Sequence, residues 1–257
     1  MKRETCKVLV IGAGPGGYVC AIRAGQLGLD TIVVEATAPG GTCLNVGCIP
    51  SKALIHAANE FHTARHLAGV NPLGIASATP TIDLGQTVVW KDGIVARLTG
   101  GVSSLLRKVK VRMVQGRASI IDGKTVDVET PDGPLRIQTE HLVIATGSRP
   151  QSLPALPFGG DILSSTEALS LTAVPRRLAV VGGGYIGLEI GTAMGRCCTT
   201  LTLEDSHLET MRLDGPHEQT DTRPLSHDEL VQLHCGASQA GLIADLAGQG
   251  DDLARAA

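Results

Sequence analysis

The chain has 257 residues, 43% of them hydrophobic and 18% charged. That balance supports a sizeable core in one or two domains and excludes a wholly disordered protein. A net charge of −3 gives no electrostatic reason to expect nucleic acid, and seven scattered cysteines do not make a disulfide-built secreted scaffold. Thirty-two glycines beside only two Phe, two Tyr and one Trp point to tight turns and close backbone approach to ligands, not to an aromatic platform.

The charge is uneven. Residues 1–195 hold 18 Lys+Arg against 14 Asp+Glu, whereas residues 196–257 hold 4 against 11, with no lysine and four of the eight histidines. Met1-Lys2-Arg3 precedes an apolar stretch, but Pro15 and several glycines interrupt it and no small-residue cleavage pattern follows. No apolar run is long enough to span a bilayer, so the expectation is a soluble, cytoplasmic protein with neither membrane nor nucleic-acid partners.

In chain order, residues 7–12 (KVLVIG) read as a strand buried on both faces. Gly12-Ala13-Gly14-Pro15-Gly16-Gly17 follows, then a helical pattern with Pro15 in its first turn and Gly28 at its end. A second apolar strand, residues 31–35 (TIVVE), closes on Glu35. This is the dinucleotide-binding unit in its full setting. Gly12 permits the tight turn, Gly14 lets the backbone approach a pyrophosphate, and Gly17 lets helix and strand pack closely. The helix N-terminus offers N–H groups to phosphate, and Glu35 offers a carboxylate to ribose hydroxyls.

Residues 40–52 read GGTCLNVGCIPSK. On a regular helix Cys43 and Cys48 would stand ~7.5 Å apart along the axis, beyond the usual reach of a disulfide. A bridge therefore needs a local irregularity, which Gly47 makes plausible, and two separate thiols remain the other reading. Cys6, Cys20, Cys197, Cys198 and Cys235 show no comparable pairing and read as structural or incidental. Further on, Arg177–Val181 reads as a strand leading into Gly182-Gly183-Gly184-Tyr185-Ile186-Gly187 and a helix carrying Glu189. A second phosphate-cradling turn suggests a second nucleotide.

GAGPGG followed by GGTCLNVGCIPSKALIH resembles the flavoprotein disulfide reductases, and CLNVGCIPSK within it is most similar to the dihydrolipoamide dehydrogenases. The likeness continues through Ala118 in VQGRA, the strand-then-ATG segment with Thr146, Gly147 and Ser148, and SSTEAL at 164–169. A local departure is the helix end at Arg107–Lys110, where a glycine cap would be expected. The resemblance implies an α/β fold: a doubly wound FAD-binding domain at 1–150 with a redox-active disulfide, then a partial NAD-binding domain at 151–205.

It also implies roles. Cys43 would exchange with substrate and Cys48 would face the flavin. Lys52, paired with Glu189, would stabilise negative charge on the reduced ring. Gly12, Gly14, Gly17, Glu35, Gly41, Thr42, Ala118, Thr146, Gly147 and Ser148 would contact FAD. Gly182, Gly184, Tyr185, Ile186, Gly187 and Glu204 would contact NAD, with Tyr185 gating the nicotinamide pocket. No metal site is expected. The implied activity is oxidation of a dihydrolipoyl group of a 2-oxo acid dehydrogenase complex by a homodimer.

After Gly195 the likeness is lost to the eye. TLTLED at 200–205 reads as a strand placing Glu204 or Asp205 near a ribose, and Ser226–Glu229 as a helix cap. Residues 206–257 read as a divergent acidic tail, whose His207, His217, His227 and His234 inherit no role. The family's central and interface domains have no visible counterpart, so the expectation is an incomplete, poorly active chain. A mercuric reductase-like enzyme and a non-catalytic flavin-binding remnant are the other readings.

Overall fold

A computed structural model describes residues 1–69, 71–197, 200–205, 208–214 and 242–245, the last three by backbone alone. The chain divides into two compact units, Met1–Pro50 with Asp92–Arg149 and Ser51–Lys91 with Pro150–Ala257. Ser51–Lys91 groups with the second unit and not with the first.

In the first unit, β1 (Lys2–Ile11) leads through α1 (Pro15–Gln26) to β2 (Thr31–Glu35). β1 begins five residues earlier than the apolar pattern suggests, because Lys2–Cys6 pairs with the polar half of β6 (Gly133–Ile144). Strands β3 (Arg112–Gln115), β4 (Arg117–Asp122) and β5 (Thr125–Thr130) complete a sheet ordered β3-β2-β1-β6-β5-β4. The pairs β3/β2, β2/β1 and β1/β6 are parallel, while β6, β5 and β4 form an antiparallel meander.

Alternation along β1 explains its burial on both faces. Val8 and Val10 join Ala21, Ala24, Val33, Leu44 and Leu106 in one cluster, whereas Leu9 and Ile11 join Ile32, Val34, Val126 and Ile137 in another. Successive strand side chains point to opposite faces, so a continuous apolar run is what a central parallel strand requires. The chain leaves β1 toward β2 on one side and returns as β6 on the other. The carboxyl end of β1 is thus a topological switch point, where open α/β sheets bind ligands.

Two short-range breaks shape the segments that follow. Helix α2 (Gly41–Val46) ends at Gly47, whose φ of −141° and ψ of −112° are not helical, and α3 (Cys48–Leu67) starts immediately after. Helix α4 (Leu84–Lys108) ends without a glycine: Lys110 takes φ +61°, the sole non-glycine positive φ among the described residues. The Val111 N–H donates to Leu106 O and the Lys110 N–H to Arg107 O, both at 3.0 Å. Together with the Leu106–Val111 apolar contact, this is a Schellman closure built on lysine.

In the second unit β8 (Arg177–Val181), α6 (Tyr185–Gly195) and β9 (Thr200–Asp205) form a parallel crossover. β10 (Leu208–Asp214) lies antiparallel beside β9, and β11 (Leu242–Asp245) lies antiparallel between β8 and β7 (Ile162–Leu163). The strand expected at TLTLED is therefore present, and two strands from the acidic tail join its sheet, which composition alone does not suggest. The cap expected at Ser226, the four tail histidines, Cys198 and Cys235 lie outside the described residues. Leu54, Leu84, Leu169, Leu178, Val180, Leu188 and Met194 form this unit's core. No helix among the described residues is long and apolar enough to cross a membrane.

Candidate functional site

The first glycine turn closes β1 over the switch point. Gly12 takes φ +99°, which L side chains rarely adopt, and a Cβ there would lie 2.8 Å from the Ala145 carbonyl carbon and closer still to its oxygen. A Cβ on Gly17 would strike the Gly12 carbonyl, so α1 can approach β1 only with glycine at that position. Gly14 is different. It caps α1 in an extended conformation, and a Cβ there would meet nothing nearer than the Gly41 Cα at 3.7 Å. Space is left on that side of the turn, as a phosphate cradle requires.

Glu35 ends β2 beside this turn. One carboxylate oxygen accepts the Ala13 N–H at 2.7 Å, and the other accepts the Thr37 N–H and hydroxyl at 2.8 and 2.9 Å. The carboxylate thus anchors the turn from inside the site as well as standing where a ribose would be met. Ala145 donates its N–H to Ile11 O at 2.8 Å, which brings the start of the Thr146-Gly147-Ser148 segment against Gly12. All three of those residues are exposed. Ala118 stands half-buried on β4 opposite Val128.

Gly41 opens α2 against the same turn, its missing side chain facing the Gly14 Cα at 2.5 Å. Cys43, two residues on, packs half-buried on the cluster containing Ala13 and Leu44, and Thr42 is exposed. Cys48 is exposed at the start of α3. The break at Gly47 is the irregularity the spacing demanded, because it takes the two cysteines off a common helix axis. Both stand as thiols in this structure. Lys52 follows Cys48 by four residues on α3, the spacing that shares a helix face.

In the second unit the Lys52 ammonium donates to both Glu189 oxygens, at 3.1 and 3.2 Å, and the buried Ser51 hydroxyl donates to one of them at 3.3 Å. The pair expected from sequence is therefore formed within one unit. Its lysine is too exposed for the ion pair itself to add much stability. The second glycine turn repeats the first: Gly182 has φ +104°, Gly184 caps α6 in an extended conformation, and a Cβ on Gly187 would strike Gly182 O. Tyr185 opens α6 with its ring half-exposed, and Ile186 packs on the second core. Glu204 pairs by backbone with Val181, at the strand end beside the turn.

Three contributors escape the motif reading. Gly40 takes φ +102° and donates its N–H to Ala13 O at 2.8 Å. Thr37 orients Glu35, and Ser51 orients Glu189. Gly40 had a signal in the doubled glycine, but the other two act through bonds that no residue type announces. Among the described residues no cluster of His, Cys, Asp and Glu could hold a metal ion.

Comparison with known proteins agrees with this geometry. The family described as pyridine nucleotide-disulphide oxidoreductase matches residues 6–238, well past Gly195. Dihydrolipoyl dehydrogenase of Pseudomonas aeruginosa is 61% identical over 239 residues, 91% of this chain and 51% of its own length. That of Geobacillus stearothermophilus is 48% identical over 197 residues, 77% of this chain and 41% of its own. The chain thus spans about half the length of the curated relatives it matches. Among solved structures, the flavoprotein disulfide reductase RclA of Escherichia coli, as a Cu(II) complex, aligns with TM-score 0.67 and 25% identity over 78% of this chain and 42% of its own. LpdA of Mycobacterium tuberculosis shares the fold with TM-score 0.70 over 80% of this chain and 45% of its own, at 24% identity. With the family's match running through both glycine turns and the cysteine segment between them, the chain belongs to the pyridine nucleotide-disulphide oxidoreductase family.

Proposed function

We propose that this chain carries the FAD-, disulfide- and NAD-binding parts of an FAD-dependent dihydrolipoyl dehydrogenase, with NAD as final acceptor, and that over the half of the relatives' length it spans it is poorly active by itself. The observation that carries the reading is the placement of the Cys43 helix directly on the Gly14 turn, with Gly41 Cβ space filled by Gly14. A dithiol-exchanging segment and a dinucleotide cradle share one turn, which neither a simple nucleotide-binding domain nor a thiol protein needs.

The residues would divide the work as follows. Gly12, Gly14 and Gly17, with the Gly41–Thr42 and Thr146–Ser148 backbones, would hold the FAD diphosphate, Glu35 its ribose and Ala118 the region of its adenine. When bound, FAD would supply two-electron redox chemistry between the thiols and NAD. With the cysteines bridged, a substrate thiolate attacks Cys43 Sγ, forming a mixed disulfide and releasing Cys48 as thiolate. The second substrate thiol gives its proton to solvent and attacks the substrate sulfur of that bond, and Cys43 departs as thiolate. The substrate gains a disulfide and the protein gains two reduced cysteines, so two electrons enter the site. Lys52, oriented by Glu189 and Ser51, would offer positive charge where those electrons arrive. Gly182, Gly184, Gly187, Tyr185, Ile186 and Glu204 would receive NAD.

On this reading residues 1–150 form the FAD domain and 151–205 the NAD domain, and from the acidic tail at 206–257 the strands Leu208–Asp214 and Leu242–Asp245 join the second sheet. A homodimer serving a 2-oxo acid dehydrogenase complex in the cytoplasm is the setting that the resemblance implies. The test is flavin content. Purified protein should retain FAD, and Gly14→Val should lose it by at least about tenfold in affinity, the effect of one backbone phosphate contact region closed by a side chain. Equal flavin content in both proteins, with unchanged unfolding midpoints, removes the reading.

A further inference from the structure

Between the two cysteines stands Asn45, a residue to which the proposed chemistry gives no task. Its half-buried side-chain amide donates to Gly41 O at 2.9 Å and to Pro39 O at 3.2 Å. Those carbonyls flank Gly40 and Gly41, two consecutive residues with φ of +102° and +56°. Paired left-handed glycines are the least self-determined backbone in the site, because glycine has the most conformational freedom to lose. The two hydrogens of one NH₂ group meet two carbonyls, a match that a primary amide makes without burying a charge.

The turn so fixed touches the phosphate cradle twice. The Gly40 N–H donates to Ala13 O, and Gly41 lies against the Gly14 Cα. The Ala13 peptide is therefore gripped on both sides, by Gly40 at its oxygen and by the Glu35 carboxylate at its nitrogen. Asn45 and Cys43 sit two residues apart on the same six-residue helix. A displacement of the Ala13–Gly14 peptides has a bonded route to Cys43 through Gly40, the Pro39 and Gly41 carbonyls and Asn45.

We infer that Asn45 is a clasp locking the cysteine helix to the phosphate turn, so that filling the turn with a diphosphate changes the reactivity of Cys43. It is a positioning residue, and the inference rests on the reading that the Gly14 turn takes a dinucleotide. The coupling runs both ways, since a ligand that shifts Cys43 is itself shifted by what happens there.

The probe is ADP, which reaches the turn but carries no flavin to shield the thiols. Cys43 modification by a maleimide is followed by peptide mass spectrometry in the reduced 257-residue chain, with ADP binding measured separately by calorimetry. In the wild-type protein saturating ADP should change the Cys43 rate by about fivefold or more, the lower range of ordinary coupling. In Asn45→Ala the change should vanish while ADP still binds. In Asn45→Asp, nearly the same shape, the new carboxylate opposes both carbonyls, so the change should be absent at pH 8. It should return in part as the pH falls toward about 4, the ordinary carboxyl range, where the introduced group gains one proton to donate to one of the two carbonyls. A residue that merely fills space gives no such pH dependence. An ADP effect of equal size in wild type and both variants overturns the clasp and leaves the nucleotide reading standing. Wild-type protein that binds ADP with no change at Cys43 does the same. Wild-type protein that does not bind ADP overturns both.

Discussion

The two glycine turns solve one backbone problem and are then put to different uses. In each, the opening glycine (Gly12, Gly182) takes φ near +100°, the glycine two residues on (Gly14, Gly184) caps a helix in an extended conformation, and the glycine five residues on (Gly17, Gly187) lies where a Cβ would hit the carbonyl of the opening one. The difference lies in the side chains around them. At the first turn the acid at the strand end folds inward, Glu35 holding the Ala13 N–H, and the helix that follows begins with Pro15. At the second the helix begins with a half-exposed tyrosine, and its glutamate, Glu189, turns to Lys52 and Ser51. The backbone pattern therefore specifies a phosphate turn and no more.

The largest expected effect tests the shared part. Gly17→Val and Gly187→Val each drive a Cβ into a backbone carbonyl that cannot move without losing the turn. Each should destabilise its own unit by about 3–5 kcal/mol, the range reserved for overpacked, strained sites. Hydrogen exchange resolved by unit reads this: Gly17→Val should expose β1 and β2, and Gly187→Val should expose β8. Equal protection of β8 in Gly187→Val and wild type would break the equivalence and leave the second turn only superficially like the first.

Much of this was legible in the sequence, and the reason is local. Gly17 and Gly187 announce themselves because the carbonyl that excludes a side chain there lies five residues back, and Gly12 and Gly182 because each takes a left-handed φ at the start of the same short motif. The strands at 31–35 and 200–205 are legible because buried parallel strands are written as uninterrupted β-branched runs. Lys52 and Glu189 meet as the resemblance implies, although 137 residues separate them. Three things were not legible. The first half of β1 is polar and is made a strand only by its long-range pairing with β6. The assignment of Ser51–Lys91 to the second unit follows from Leu54 and Leu84 packing with Leu178 and Leu188, and no composition change marks it. The tail strands β10 and β11 take their place from a sheet edge formed elsewhere in the chain.

The next contrast concerns what backs each helix. α1 presses on the end of α4: a Cβ on Gly25 would come 2.7 Å from Val109 O and 2.9 Å from the Val111 side chain. The α4 cap is therefore part of the first unit's core, and it is strained because a lysine holds the left-handed position. Non-glycine residues there lose roughly 1–2 kcal/mol, and glycine gives some of that back as unfolded-chain entropy. Lys110→Gly should accordingly stabilise the first unit by about 0.5–1 kcal/mol, a rise of ~2–4 °C in its transition, and leave the second unchanged. A lowered midpoint would mean that the lysine side chain contributes more than its backbone costs.

The smallest effect belongs to the second unit alone. Its short helix α5 (Ser165–Ala168) is closed by a capping box in which Glu167 accepts the Ser164 N–H at 2.8 Å and the Ser164 hydroxyl, while the Thr166 N–H donates to Ser164 Oγ at 3.1 Å. These bonds favour the ionised carboxylate, and the Ser164 hydroxyl is the main cause that holds Glu167 below its ordinary value of 4.5. A carboxyl lowered on folding contributes stability that is fully present above its unfolded value and is lost as the pH falls through the folded one. The second unit should therefore weaken as the pH drops below about 4.5. Glu167 is partly exposed, so solvent screening limits its share to a few tenths of a kcal/mol. Glu167→Gln keeps a carbonyl to accept the Ser164 N–H but has no charge to lose. Its unfolding midpoint for the second unit should sit slightly below wild type at pH 7 and converge with it near pH 3. Parallel curves over that range would mean that the box works as a neutral cap, and that bracing by charge is confined to Glu35 at the first turn.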